Sequence, residues 1–428
     1  QTEVYQSIST TNEVEDRYAN NEVARRALFG PLSMVIKCIG FDDTYSLIKK
    51  ETRRHCISWI ATPLALLGIV LFIRNVAMNL NLIENAMTWH WGEMFILTFL
   101  AIQSLASALF FFFFTRSLFF LDYYEAWSEC ARLAENYSKE KKEEGENGEN
   151  EGEKKEHRDT EIGLNQSRFP VHNRGRIIWV LLSFLFFVGS SVLCSVKYAL
   201  NHGHNLSPNQ SATEPLLDNL YAFEPLTSVW AAILTAAALS AYGILNGILI
   251  ETIVAFNRDL SDSSKSSSLS SQIDSFAIRH QSILGFARLF SDRMKHFASV
   301  MAVSGIVANF SAMFLSLCFK QEIETIAHIC VILWTLIAIG SMASILLMPA
   351  KVQSKLNHTC EILVADKQIW KGEITIAQRA QMMIYMRKNT DTTVSIFKCL
   401  KLTPWVANGI MLVPPLIGLT LYIIKTFA

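Results

Sequence analysis

Residues Thr403–Ala428 read TPWVANGIMLVPPLIGLTLYIIKTFA, and from Pro404 to Ile424 they contain no charged side chain. A membrane-crossing helix needs about 20 predominantly apolar residues. This stretch meets that length, and six others resemble it. The seven candidate spans are Ile57–Val76, Gly92–Phe114, Ile177–Leu200, Ser228–Phe256, Phe297–Phe319, Ala327–Pro349 and Pro404–Thr426. The composition agrees: 51% of the 428 residues are hydrophobic and only 18% are charged, against about 25% charged in soluble domains. The reading is an all-α, polytopic membrane protein. The first fifty residues carry no apolar run of signal-peptide type, so the first span is expected to act as its own insertion signal.

Charge placement orients the spans. Of the 38 lysines and arginines, 34 fall before the first span or between spans two and three, four and five, and six and seven. The alternate side keeps only Arg74, Lys197, Lys320 and Lys425. Positive charge collects on the cytosolic side, which predicts a cytosolic amino terminus and an extracellular carboxyl terminus. The expected organisation is a cytosolic segment at 1–56, six spans within 57–350, cytosolic anchor helices over 351–402 and a last span over 403–428. The tract Lys139–Asp159, KEKKEEGENGENEGEKKEHRD, has no large apolar residue and is expected to be a disordered cytosolic loop around 139–160.

Two cytosolic stretches carry helical periodicity. Ile273, Phe276, Ile283, Phe286, Leu289 and Phe290 recur at helix spacing, and Lys351–Arg387 reads as one long helix. Spans four to six therefore extend into the cytosol as amphipathic helices. Between them, Ser261–Ser271, SDSSKSSSLSS, is expected to be a flexible break.

The outer loops are short, so a ligand must enter between the helices. No CxxC pair, zinc-like cluster, nucleophile–base set or phosphate loop occurs, so no enzyme, cofactor or metal is expected. The net charge of zero gives no pull on nucleic acid. Asp16-Arg17-Tyr18 spells a receptor tripeptide, but it precedes the first span by about forty residues. Glu251 and Arg116 lie near inner span ends rather than at the membrane centre, which does not favour an ion-coupled transporter.

Within the last span, Pro414 and Pro415 remove two backbone donors and clash with the preceding turn. They are either a hinge in a pore helix or a kink in a bundle. Beyond them Leu416, Thr420, Ile424 and Phe427 lie near one face, with Leu419 and Ile423 beside them. That face is either an apolar gate able to dewet or a stripe facing lipid or core. Trp89, Trp91 and Trp230 stand near outer span ends, as interfacial anchors do, and Tyr242 can join them in lining a cavity. Trp334 lies deeper and is followed by Ala338, Gly340, Ser341 and Ser344, small residues that admit either a close helix or a ligand.

Seven spans with an internal amino terminus and extended central helices resemble the insect gustatory and odorant receptor superfamily and its animal relatives. Gustatory members end helix seven with threonine-tyrosine, five apolar residues and glutamine-phenylalanine. The stretch here is Thr420-Leu421-Tyr422-Ile423-Ile424-Lys425-Thr426-Phe427, with the tyrosine and phenylalanine each displaced by one place. The resemblance implies a plasma-membrane, homotetrameric, non-selective cation channel of a sensory cell. It implies that helix seven lines the pore, that ligands bind among the outer halves of spans two to six, and that cytosolic helices hold the tetramer. Trp334 and Ala338 with Trp89 or Trp91 resemble the tryptophan arrangement of nematode members that respond to ultraviolet light or peroxide. The expected partners are membrane lipid, cations, further copies of the chain, and a small-molecule, light or peroxide stimulus. A receptor signalling through cytosolic partners and a transporter are the rival readings.

Overall fold

A computed structural model describes residues 20–38 apart from 22 and 31, residue 70, residues 89–146, scattered positions from 178 to 192, residues 224–319 apart from 267, and residues 325–427 apart from 398. Its long helices are α2 (Trp89–Arg116), α3 (Phe119–Glu146), α4 (Glu224–Lys265), α5 (Leu269–Cys318), α6 (Thr325–Ala365) and α9 (Pro404–Phe427). Shorter ones are α1 (Leu32–Cys38), α7 (Lys367–Lys371) and α8 (Ile374–Asn389). The expected first span lies outside the described residues except for Val70, and the third is described only at single positions such as Leu181, Leu185 and Val188, all helical.

Among the described residues, four helical stretches are long and apolar enough to cross a membrane: Val229–Lys265, Leu269–Cys318, Val331–Ala365 and Pro404–Ile424. The pair Ala101–Phe114 and Phe119–Lys139, bent by 68°, supplies a fifth when taken as one span. Helices α4, α5 and α6 have 42, 50 and 41 residues. At 1.5 Å per residue each is about 60 Å or longer, roughly twice the hydrocarbon thickness. The carboxyl-terminal parts of α4 and α6 lie together beside the amino-terminal part of α5, through Asn257 with Lys355, Ser264 with Asp366 and Asp259 with Arg279, and this end of the bundle is here called the extension end.

Helix α5 is the central element. It packs against α2, α3, α4, α6, α8 and α9. The stripe read from sequence is its buried face: Ile273, Phe276, Ile283, Phe286 and Phe290 are all buried, and Leu289 is half-buried against them. Between α2 and α3 the chain bends at Leu118, which adopts a left-handed φ of 55°. Aromatic side chains fill that bend. Phe114 lies 4.6 Å from Phe119 and Phe110 lies 4.5 Å from Phe297, centroid to centroid. Gly189 permits a close helix approach in span three, because a Cβ there would lie 2.7 Å from Ile337 Cδ1.

Helix α6 runs through Pro349. A helical proline frees the carbonyl four residues back, which is that of Ile345. The Tyr242 hydroxyl donates to this oxygen at 3.4 Å from α4, so the break is met from the neighbouring helix.

Two expectations need correction. The serine-rich run is not a flexible break: α4 continues to Lys265 and the turn is confined to a few residues before α5. Its hydroxyls hold it. Ser264 Oγ donates to Asp366 Oδ2 at 2.6 Å, and Tyr137 Oη lies 2.6 Å from Ser263 Oγ. Nor is Lys351–Arg387 one helix. It ends at Ala365, because Asp366 accepts from the amides of Gln368 and Ile369 and so starts α7, which stops at Gly372. The charged tract is helical as far as Glu146, and residues 147–160 lie outside the description. One feature is absent from the sequence reading. Strands β1 (Ser395–Ile396) and β2 (Leu400–Lys401) pair antiparallel just before α9, with Ser395 opposite Lys401.

Candidate functional site

The last helix packs by one face only. Ala407, Pro414 and Gly418 are buried, while Leu416, Thr420, Ile423, Ile424 and Phe427 are exposed. The buried set recurs at 7 and 4 residues, which keeps it on one helical face, and that face lies on α5 and α6. Gly418 lets it approach, since a Cβ there would sit 3.5 Å from Met313 Cβ. The five exposed residues are those expected from sequence to face a pore, and among the described residues nothing covers them. Thr420 Oγ1 donates to the carbonyl of Leu416 at 2.8 Å, which leaves that face predominantly apolar. Pro414 and Pro415 lie inside an unbroken helix. Pro414 packs inward, so the helix does not part at the prolines in this conformation.

At the base of α9 the hairpin is fastened to α5. Ser299 Oγ accepts from the Phe397 amide at 2.9 Å and donates to the Lys295 carbonyl at 2.6 Å. Phe397 itself takes a left-handed φ of 50°. Sequence reasoning missed this clamp. The run Thr392-Thr393-Val394-Ser395-Ile396 is rich in β-branched residues, and that was the available signal.

Trp334 is 7% exposed and belongs to a small apolar cluster with Ala231, Ala312, Phe314, Leu315 and Phe319. Leu421 of α9 packs against the same cluster, so the residues around Trp334 touch the last helix directly. Ala338 lies one turn along α6 and is also buried. Trp230 is half-buried one position before Ala231, and its indole nitrogen meets no partner. Tyr242 is not brought to this group. It sits beside Phe290, Phe297 and Ile345, and Ile345 is eleven residues, about 16 Å, along α6 from Trp334. Trp89 and Trp91 occupy the first turn of α2, and their side chains lie outside the description. Cys318 of the same cluster is buried.

The extension end contains a polar core that sequence reasoning did not single out. Arg279 is buried on the apolar stripe of α5, with Nη2 2.6 Å from Asp259 Oδ2. Its guanidinium carbon lies 4.9 Å from the ring centre of Tyr137 and 5.3 Å from that of Phe256. Beside it His280 is buried against Phe256, and burial, with the Arg387 charge second, pushes its pKa down to about 4. The clue in the sequence was two polar residues between Phe276 and Ile283, where the stripe calls for apolar ones.

A family model described as "Caenorhabditis protein of unknown function, DUF267" matches residues 28–141 and 168–418. The chain belongs to that family. No curated protein matches it. Among solved structures, the insect olfactory receptor OR5 from Machilis hrabei is 11% identical, with a TM-score of 0.59 over 87% of this chain and 91% of that one. The same receptor in complex with eugenol gives 11% identity and a TM-score of 0.60, over 94% of this chain and 100% of that one. This DUF267 member therefore has the fold of the insect olfactory receptors, as the architecture suggested. With four or five candidate spans among the described residues, it is a multi-pass membrane protein.

Proposed function

We propose that the chain is a subunit of a homotetrameric, stimulus-gated, non-selective cation channel of the plasma membrane, with its amino terminus in the cytosol and its carboxyl terminus outside. The observation that carries this reading is the uncovered apolar face of α9, from Leu416 to Phe427, on a helix whose other face is fixed to α5 and α6. Four copies would bring four such faces around one axis, and an apolar constriction can close a pore by dewetting. The likeness to the OR5 fold supports the assembly, because the superfamily resemblance implies a tetramer with this helix at its centre. The overhanging helices would be cytosolic and would hold the copies together.

The stimulus acts in the outer membrane half, near Trp334 and Ala338, with Trp230, Trp89 and Trp91 as further candidates. The Machilis hrabei receptor takes eugenol, which supports a small-molecule stimulus here; ultraviolet light and peroxide belong in the same screen. Leu421 gives the coupling, since it packs on the Trp334 cluster and is one residue from Thr420. Ligand bound there shifts a two-state equilibrium of α9 toward the open form, with Pro414 and Pro415 absorbing the bend. The test is recording from purified protein in planar bilayers. Stimulus-dependent unitary currents support the channel; a correctly folded, inserted protein with no conductance under any stimulus would overturn it in favour of a receptor acting through cytosolic partners.

A further inference from the structure

At the extension end one polar layer joins four helices. Asn257 of α4 donates to the Lys355 carbonyl of α6 at 2.8 Å, and its side-chain oxygen accepts from the Thr359 hydroxyl at 2.6 Å. Arg279 of α5 pairs with Asp259 of α4. Arg387 of α8 donates through Nη2 to Asn357 Oδ1 of α6 at 3.0 Å. His280 of α5 stands at the same height. Asp274 of α5 meets Arg379 of α8 at 3.0 Å, and further along both directions of chain Ser299 meets Phe397, so α5 and α8 run parallel. Six residues on from Asp274 and eight on from Arg379, His280 and Arg387 reach levels within about 3 Å of each other. The Arg387 charge is close enough to act on the His280 ring.

These two side chains are incompletely bonded. Arg387 is 5% exposed and its Nε meets no partner; His280 is 1% exposed and neither ring nitrogen meets one. Buried polar groups almost always find partners. A guanidinium only donates, and a neutral imidazole donates once and accepts once. What Arg387 Nε and one nitrogen of His280 lack in common is an acceptor.

Charge sets Arg387 apart from Arg279. Arg279 has Asp259 as its counter-ion, whereas among the described residues no carboxylate forms an ion pair with Arg387. The carboxylates of this region are engaged elsewhere. Asp391 pairs with Lys401, Glu361 with His358, and Asp366 accepts from the Gln368 and Ile369 amides and the Ser264 hydroxyl. The carbonyls of the last turn of α8 offer only partial negative charge. A buried guanidinium left without a counter-charge is costly.

We propose that the layer binds a small inorganic anion of halide size between α5 and α8, taking the Nε–H of Arg387 and one ring N–H of His280. A single negative charge balances the one unpaired guanidinium, and a dianion would overshoot it. The Phe256 ring stacked on His280 offers nothing to the further oxygens of a phosphate or sulfate. Chloride is the anion of this class that cytosol supplies. Bound there, it ties α5 to α8 three residues before Thr390, where α8 ends and the chain turns toward the β1–β2 hairpin and α9. The site is independent of whether α9 lines a pore.

The test is the melting midpoint of the purified full chain in lipid nanodiscs, with chloride exchanged for gluconate at constant ionic strength. Chloride at about 150 mM should raise the midpoint by about 3–6 °C and the rise should saturate, as half-saturation on the order of 10 mM requires. Arg387→Met should abolish the difference, while Arg132→Gln, at an exposed arginine paired with Glu129, should retain it. Should Arg387→Met fail to fold, cryo-electron-microscopy maps of the unaltered chain in chloride and in bromide decide, and a peak between Arg387 and His280 should be stronger in bromide. A midpoint indifferent to chloride would overturn the proposal. So would a chloride effect that survives Arg387→Met, the lack of a peak, or a peak of equal height in both salts, which would identify ordered water as the partner of these groups.

Discussion

Replacing Arg279 by alanine is expected to destabilise the extension end by about 3–4 kcal/mol. The side chain is 4% exposed and pairs with Asp259, whose own side chain is 36% exposed. Breaking a fully buried pair costs about 3–5 kcal/mol, but Asp259 can regain water, which puts the electrostatic part near the lower end. Loss of the guanidinium from the Tyr137, Phe256 and Phe276 faces adds about 0.5–1 kcal/mol in total, because one cation is shared among the three rings. Burying less alkyl stem adds a packing loss as well. Arg279→Met separates the two contributions. It keeps most of the volume and removes the charge, so it should recover only the packing loss and still cost about 3 kcal/mol. The assay is retention of a monodisperse peak after heating, followed by size-exclusion of a fluorescent fusion in detergent. At roughly 2–4 °C per kcal/mol, the alanine variant should lose on the order of 6–16 °C and the methionine variant slightly less. An alanine variant within about 1 °C of the parent would refute the energetic role assigned to this cation.

Several other changes have defined outcomes. The pKa of His280 is depressed on folding from 6.5 to about 4, so the unfolded chain binds the extra proton and stability falls as pH drops from about 6.5 toward 4, by up to an order of 3 kcal/mol; His280→Phe should flatten that part of a melting profile. Tyr242→Phe uncovers the Ile345 carbonyl and should cost about 1 kcal/mol, whereas in a Pro349→Ala background, where residue 349 regains its amide, the same change should cost much less in a melting cycle. Gly418→Ala should be tolerated, since its Cβ meets Met313 at ordinary contact distance, while Gly418→Leu should wedge α9 from α5 and shift the stimulus dose–response in whole-cell recording. Ser299→Ala removes the acceptor of the Phe397 amide and should speed proteolysis at the hairpin, measured by limited digestion.

Much of the helical layout was legible because length and hydrophobic period are local properties. The apolar runs of spans two, four, five, six and seven fall within the helices found, and the Ile273–Phe290 stripe is buried as its 3.6-residue period demands. Helix ends were less legible. The α6–α7 break depends on Asp366 capping new amides while also receiving Ser264 from a helix a hundred residues earlier, and no window over 351–387 contains that serine. For the same reason the serine run looked like a linker. For α9 the sequence put Leu416, Thr420 and Ile424 on one face but left open whether that face is packed; burial of Ala407, Pro414 and Gly418 on the other side is what leaves it exposed. The grouping around Trp334 was not, since Tyr242 carries the same aromatic signal yet serves the Pro349 break. Telling them apart needs the register between α4 and α6, which one sequence does not encode locally.

The most direct test of the channel is thiol accessibility of the last helix. Thr420→Cys and Ile424→Cys are expressed in cells, and a stimulus panel is applied with and without an extracellular charged thiol reagent during whole-cell recording. The account predicts a cation current that the reagent blocks in both variants and leaves untouched in the parent. Stimulus-evoked current that persists unchanged after both cysteines are shown to be labelled would contradict a pore along this face.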